Sequence, residues 1–166
     1  MNTTSETIRI ESTERREALR NEIERTRQRF HAVAEQLAEG GWRSKPKNSG
    51  WTAGQHLVHL AWALGQLPKE VESARKGKGM FNLPKWIADP ASYWYCKWSA
   101  RKATPESVVS AYDAAIDATL HALNLVKESE WELGADFYGE GFKSIADLFR
   151  EPSRHFAQHT AGFAAQ

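Results

Sequence analysis

Two histidines near the C-terminal end of the chain, His155 and His159, have the spacing of a metal-ligand pair. Residues four apart on a helix lie on one face, with their Cβ atoms about 5–6 Å apart. Neutral imidazole is a common ligand of zinc, nickel, copper and iron, so such a pair can bind one ion. A chain with six histidines will often contain this spacing by chance. The pair predicts a metal site if a third ligand exists, and otherwise a solvated helix face.

Four long helices are predicted to position these histidines. Apolar residues recur at steps of three and four in each, as on the buried face of a helix in a bundle. A polar arm over residues 1–11 is expected before the first helix, and Pro68 is expected to kink or break the second. The predicted bounds are about 12–39, 52–74, 104–128 and 144 to the C-terminal end.

The segment from Arg75 to Ala103 shows neither a helical nor a strand period, and it is rich in aromatic residues. It is expected to cross one end of the bundle and to help wall a pocket, or else to be a packed cap with no ligand role. Residues 129–143 are predicted to form turns with a short extended piece. The predicted fold is therefore all-α, a single domain over residues 1–166, and a four-helix bundle of up-up-down-down type with a long crossover between helices 2 and 3.

Composition excludes several classes of protein. The chain has 22 basic and 21 acidic residues and no basic patch along a predicted helix, which argues against binding to nucleic acid. One cysteine, Cys96, excludes an internal disulfide framework. No apolar run reaches the length of a membrane span, and the first residues lack an apolar signal core. A cytoplasmic protein without a membrane partner is expected.

The last helix carries its two histidines on the inward seam. Ile145, Leu148, Pro152, His155 and His159 follow one another at steps of 3, 4, 3 and 4. Pro152 should bend this helix or begin a second segment. Metal sites in bundles use side chains from facing helices, and the second helix offers His56 and, as the natural third partner, His59. Three imidazoles would leave an open coordination position, as in reactive rather than structural sites.

The stretch WTAGQHLVHL, followed about a hundred residues later by HxxxH, resembles the DinB-like (damage-inducible) metalloprotein superfamily. The resemblance covers nearly the whole chain. It implies a four-helix bundle, a divalent metal (nickel or zinc most often), frequent homodimers and, in some members, thiol-dependent transferase or isomerase chemistry. It implies His59, His155 and His159 as the metal ligands. Pro152 departs from the uninterrupted last helix of that family.

Three other side chains are weaker candidates for the site. His56 lies within a turn of His59 and could face the bundle axis, orient a ligand or lie at the surface. Glu151 precedes His155 by four residues and could orient a ligand, bind the metal or simply form a solvated helix pair. Cys96 could be a thiolate ligand or nucleophile, although a loop cysteine with one basic neighbour is usually inert.

Three functions are compatible with these residues. The first is a metal-dependent enzyme with a small-molecule substrate, either an S-transferase or related transferase that uses a low-molecular-weight thiol, or a hydrolase. The second is a non-enzymatic stress or ligand-binding protein in which the metal braces the bundle. In the third, the histidines form hydrogen bonds in a core without metal. A pocket that reaches the histidines favours the enzyme, and a sealed site favours the binding protein.

Overall fold

The computed structural model describes residues 3–38, 40–47, 49–82 and 85–163, and the protein within these ranges is predominantly helical. A small antiparallel sheet precedes the last helix. The predicted all-α class is therefore confirmed in its main content, with two short strands added. The elements are α1 (Thr3–Ala38), α2 (Ala53–Leu64), α3 (Leu67–Arg75), α4 (Lys85–Ser99), α5 (Pro105–Asn124), a 3-10 turn (Glu128–Glu130), β1 (Gly134–Asp136), β2 (Phe142–Ser144) and α6 (Ile145–Thr160).

Helix α1 begins at Thr3, so the prediction of a polar arm over residues 1–11 is wrong for all but Met1 and Asn2, which lie outside the described residues. The arm was inferred from polarity alone. The stretch contains no glycine or proline, and its glutamates and arginine are good helix formers. The helix ends at Ala38, and the expected last residue, Glu39, is outside the described residues.

The predicted second helix is divided into α2 and α3 at Gly65 and Gln66. Pro68 lies in the first turn of α3. A proline is tolerated there because the first N–H groups of a helix have no intrahelical acceptor. The predicted break at Pro68 is thus confirmed.

The crossover contains a helix that its sequence does not indicate, α4. Among its described side chains only Cys96 is buried, whereas Trp94, Tyr95 and Trp98 are exposed. Because α4 buries so few of its side chains, its apolar residues do not recur with a period of 3.6. The sequence pattern therefore did not predict this helix. Helix α4 packs against α2.

The segment before α6 is a hairpin, which confirms the short extended piece expected in residues 129–143. Strand β2 leads directly into α6, where Ser144 and Asp147 form a capping box. Helix α6 continues through the buried Pro152, so the alternative of a separate second segment is wrong. A proline inside a helix removes one backbone hydrogen bond and crowds the carbonyl four residues earlier, but the other hydrogen bonds of the helix remain.

Helices α1 and α2 both pack against α5 and α6 around one apolar core. Inside it, the rings of Phe30 on α1 and Tyr112 on α5 stack with centroids 3.7 Å apart. Polar contacts show that α1 and α5 are antiparallel, since Arg20 meets Asn124 and, further along α1, His31 meets Asp113.

Helix α6 runs parallel to α1, because Glu22 contacts Ser153 and Phe30 contacts Phe156 further along both helices. It runs antiparallel to α2, whose first turns meet its last turns. The directions of α1, α2, α5 and α6 are therefore up, down, down and up, and the predicted up-up-down-down order is wrong. The chain reverses direction between α1 and α2, which lie on opposite sides of the core, and the long crossover makes α2 and α5 parallel.

Among the described residues, no helix combines the length and apolar character needed to cross a lipid bilayer.

Candidate metal centre

A capping box fixes where α2 begins. The Thr52 hydroxyl accepts a hydrogen bond from the Gln55 backbone N–H at 3.3 Å, and the Gln55 side-chain oxygen accepts one from the Thr52 N–H at 2.9 Å. Both interactions satisfy N–H groups that the first turn leaves without acceptors. The capping box therefore places His56 and His59 in the first two turns of the helix.

The structure brings together the three histidines predicted as ligands. The Nε2 atoms of His59 and His155 lie 3.2 Å apart. One ring nitrogen from each of His59, His155 and His159 lies within 4.8 Å of the others, a group that could hold a metal ion. Two helices supply these residues: the start of α2, and the last two turns of α6.

The donor set of this group fits a divalent transition-metal ion. A zinc–imidazole bond is about 2.0–2.1 Å long, so two nitrogens on a tetrahedral ion are about 3.4 Å apart. The separation between His59 and His155 is close to that distance. Three nitrogen donors favour zinc, nickel, copper or iron over magnesium or calcium, which prefer oxygen.

Burial keeps these imidazoles in the form that binds metals. Burial, together with the neighbouring His155 and His56, lowers the pKa of His59 to about 3. Burial and the neighbouring histidines likewise lower the pKa of His159 to about 3, and burial lowers the pKa of His155. At neutral pH the rings are uncharged, as ligation requires.

His56 contacts the group without belonging to it. Its Nδ1 lies 2.8 Å from Nδ1 of His159, and its Nε2 lies 2.7 Å from the hydroxyl of Ser49. The structure therefore places His56 between a loop hydroxyl and a candidate ligand. A hydrogen bond of this kind orients the ring of the ligand and selects its tautomer.

Cys96 reaches the same group from α4. Its buried sulfur lies 3.5 Å from Nδ1 of His59, on the opposite edge of the ring from the nitrogen that faces His155. Its sequence neighbourhood gives no sign of this contact, because α4 itself could not be predicted.

Glu151 is directed elsewhere. Its carboxylate accepts a hydrogen bond from Lys143 at 2.6 Å and another from Arg154. The group of three histidines does not include it. Two cations therefore neutralise this glutamate beside the site.

A cavity of about 1030 Å³ opens beside the histidines, with His59 and His159 in its wall. Trp51 lies over the group, with its ring 5.0 Å from that of His59 and 5.9 Å from that of His159. The expected contribution of the crossover to a pocket wall is confirmed. The crossover residues in the wall are Phe81, Pro90, Ala91, Tyr93, Trp94 and Tyr95.

Sequence reasoning missed two polar residues in the same cavity, Glu70 and Tyr138. The Tyr138 hydroxyl donates a hydrogen bond to Oε2 of Glu70 at 2.5 Å. A signal for Glu70 exists, since it falls on the apolar seam of α3 between Leu67 and Ala74. Tyr138 lies in the hairpin turn, where no periodicity could indicate its direction.

Fold and site together define a helical protein in which three neutral imidazoles from two adjacent helices could hold a metal ion. The chain belongs to the DinB superfamily, whose family model matches residues 22–161 and so includes all three histidines. This confirms the resemblance noted in the sequence. Comparison with the curated proteins and with the solved structures found no match.

Proposed function

We propose that this protein is a divalent-metal-dependent enzyme that acts on a small molecule, and that its reaction is a thiol-dependent S-transfer or a related transfer. The observation that carries the proposal is the access of a large cavity to the three-histidine group, since His59 and His159 line it. A metal that only braced the fold would be expected in a site sealed by side chains. Membership of the DinB superfamily supports the same reading.

In this proposal His59, His155 and His159 hold the ion, with nickel or zinc as the expected metal. The ion would supply Lewis acidity and lower the pKa of a thiol or water that it binds. His56 and Cys96 orient two of the imidazoles through the contacts described above. The aromatic wall excludes water and thereby strengthens electrostatic interactions near the histidines.

Two alternatives share the same metal site. A metal-dependent hydrolase would use water in place of the thiol, and the two enzymes differ in whether a thiol is consumed. A non-enzymatic stress or ligand-binding protein would bind metal and ligand without turnover. A screen of common cellular thiols with electrophilic acceptors, with loss of free thiol as the readout, separates these cases.

We further propose that α1, α2, α5 and α6 form a four-helix bundle within a single domain, and that the protein is a cytoplasmic homodimer. Two tryptophans one turn apart on α4 support the dimer. Trp94 and Trp98 are 65% and 69% exposed, and large apolar side chains exposed side by side are typical of association surfaces.

The ligand assignment is tested by elemental analysis of purified variants. His59→Ala, His155→Ala and His159→Ala are each expected to lose most of the bound metal, because two imidazoles seldom retain an ion against competing chelators. His121→Ala is the matched control, since His121 lies exposed on α5 and should leave metal content unchanged. Full metal content in His59→Ala would show that the ligand set is wrong.

A further inference from the structure

Glu70 on α3 is a buried carboxylate that lines the cavity. Its side chain is only 2% exposed, and its Oε2 accepts the hydrogen bond from Tyr138. Within the part of the chain that the structure describes, its other oxygen, Oε1, has no hydrogen-bond partner and Glu70 forms no ion pair. Burial raises the pKa of Glu70 to about 7, as expected for a carboxylate without a bound cation.

Two cations on neighbouring elements, Lys143 and Arg154, are already paired with other carboxylates. Lys143 on β2 lies 2.6 Å from Glu151 and 2.9 Å from Glu140, so its charge is shared between them. Arg154 on α6 pairs with the same two glutamates. The described residues that line the cavity include Glu70 and Glu140 but no lysine or arginine. Because Glu140 is paired with Lys143, Glu70 is the lining carboxylate for which a bound cation would be the counter-charge.

Aromatic rings form a continuous wall that leads to Glu70. Trp62 lies 5.3 Å from Tyr95 and 6.2 Å from Phe81, and Phe81 stacks on Tyr138 with the ring planes 9° apart. The negative faces of aromatic rings attract organic cations, most strongly where water is excluded. A carboxylate beside such a wall is a recognised way to bind an ammonium group.

Tyr138 has an unfavourable backbone conformation at its place in this wall. Its φ of 60° lies in the left-handed region, and the same holds for Phe81 at 58°. The Tyr138 N–H donates to the Met80 carbonyl at 3.2 Å, and Asn82 bonds to the backbone on both sides of the turn. Non-glycine residues in this region are strained, and such residues cluster at ligand sites.

We propose that this cavity binds a substrate with an organic cationic group, with Glu70 as the counter-charge, the aromatic wall around the cation and Tyr138 as a positioning residue for the carboxylate. The inference rests on the proposed function in that it names the substrate class of the same cavity. Glu70, His59 and His159 line the same cavity, so one substrate can place its cationic group at Glu70 and its reacting group at the histidines.

The test is isothermal titration calorimetry with matched pairs of ligands. Choline is compared with its neutral isostere 3,3-dimethylbutan-1-ol, and butylamine with butan-1-ol. At least one cation is expected to bind ten or more times more tightly than its neutral partner. Preference for choline would identify a quaternary ammonium substrate, and preference for butylamine a primary amine that donates to Oε1 of Glu70.

Variants identify the residues responsible. Glu70→Gln should reduce the affinity for the cation at least tenfold and leave the neutral ligand unaffected. Tyr138→Phe keeps the ring and should have a smaller effect. Glu72→Gln is the control, because Glu72 is exposed on the same helix. Equal binding of cation and isostere, or an unchanged affinity in a folded Glu70→Gln protein, would overturn the inference.

The proposals for the metal site and for the cation site can be contradicted independently. His59→Ala should abolish metal retention and still bind the cation. If cation binding is absent while the histidine variants lose metal, only this inference fails. If cation binding is present and no variant affects metal content, the proposed function fails and the cavity remains a cation-binding site.

Discussion

Burial shifts the pKa values of the histidines and of Glu70 in the cavity in opposite directions. It lowers the pKa of His59 and His159 and raises the pKa of Glu70, because each side chain is driven towards its uncharged form. The histidines thereby become available to a metal at neutral pH. The carboxyl group of Glu70 instead titrates close to neutrality, so it should leave a signature in the stability of the protein.

Glu70→Gln is expected to change how stability depends on pH. The folded protein holds the Glu70 proton up to about pH 7, whereas the unfolded chain releases it near 4.5. The stabilising contribution of this group is therefore complete below pH 4.5 and is lost as the pH rises to about 7. Between pH 5 and pH 8, the variant should gain about 2–3 kcal/mol in free energy of unfolding relative to the parent protein.

Urea unfolding at several pH values measures this difference. Glu72→Gln serves again as control, because Glu72 is exposed and its pKa is lowered by Lys76 and Arg75 rather than raised. Parallel profiles for the parent protein and Glu70→Gln would mean that Glu70 titrates in the folded protein as it does in the unfolded chain.

At the scale of the elements, the start of α2 is the part most directly linked to the site. The helix is held by its capping box and by close contact between Gly54 and Trp42. A Cβ atom on Gly54 would lie 2.4 Å from the Trp42 ring, and the Gly54 N–H donates to the Trp42 carbonyl at 2.9 Å. The direction of α2 at His56 and His59 therefore depends on contacts with the preceding loop.

Thr52→Ala and Thr104→Ala form a matched pair that tests this link. Each threonine caps a helix in a capping box, Thr52 for α2 and Thr104 for α5. Each variant should lose about 1 kcal/mol of stability in urea unfolding. Only Thr52→Ala should also weaken metal binding, by several-fold in competition with a chromophoric chelator, because α5 carries none of the three histidines. Equal metal affinity in both variants would contradict the link.

At the scale of the whole molecule, the site joins elements that are distant in sequence. His59 and His155 are 96 residues apart, and they meet because α2 and α6 pack against the same core. An ion held by both helices would bind the folded protein and not the unfolded chain. Its binding must therefore raise the melting temperature.

Removal of metal by a chelator is expected to lower the melting temperature by about 5–10 °C. Free metal at 100 times its dissociation constant contributes about 2.7 kcal/mol, and 1 kcal/mol corresponds to about 2–4 °C for a domain of this size. Differential scanning calorimetry of chelated and reloaded protein measures the shift, and His59→Ala should show none. An unchanged melting temperature in the parent protein would support a core of hydrogen-bonded histidines without metal.

Sequence patterns by themselves determined the helical class, the break at Pro68 and the inward direction of His155 and His159, whereas the third histidine, His59, was indicated by the family resemblance. The first three features depend on local chemistry. A cap, a proline or an apolar seam acts within one or two turns, and the seam of α6 already directs His155 and His159 inwards.

Tertiary structure alone decided the directions of the helices, the existence of α4 and the pairing of Glu70 with Tyr138 in the cavity. Cys96 touches His59 across 37 residues, and Tyr138 touches Glu70 across 68. Such contacts join segments whose own patterns are uninformative, an aromatic helix and a hairpin turn. Their partners are fixed by how the surrounding helices pack, because no local preference selects among the many side chains that each could meet.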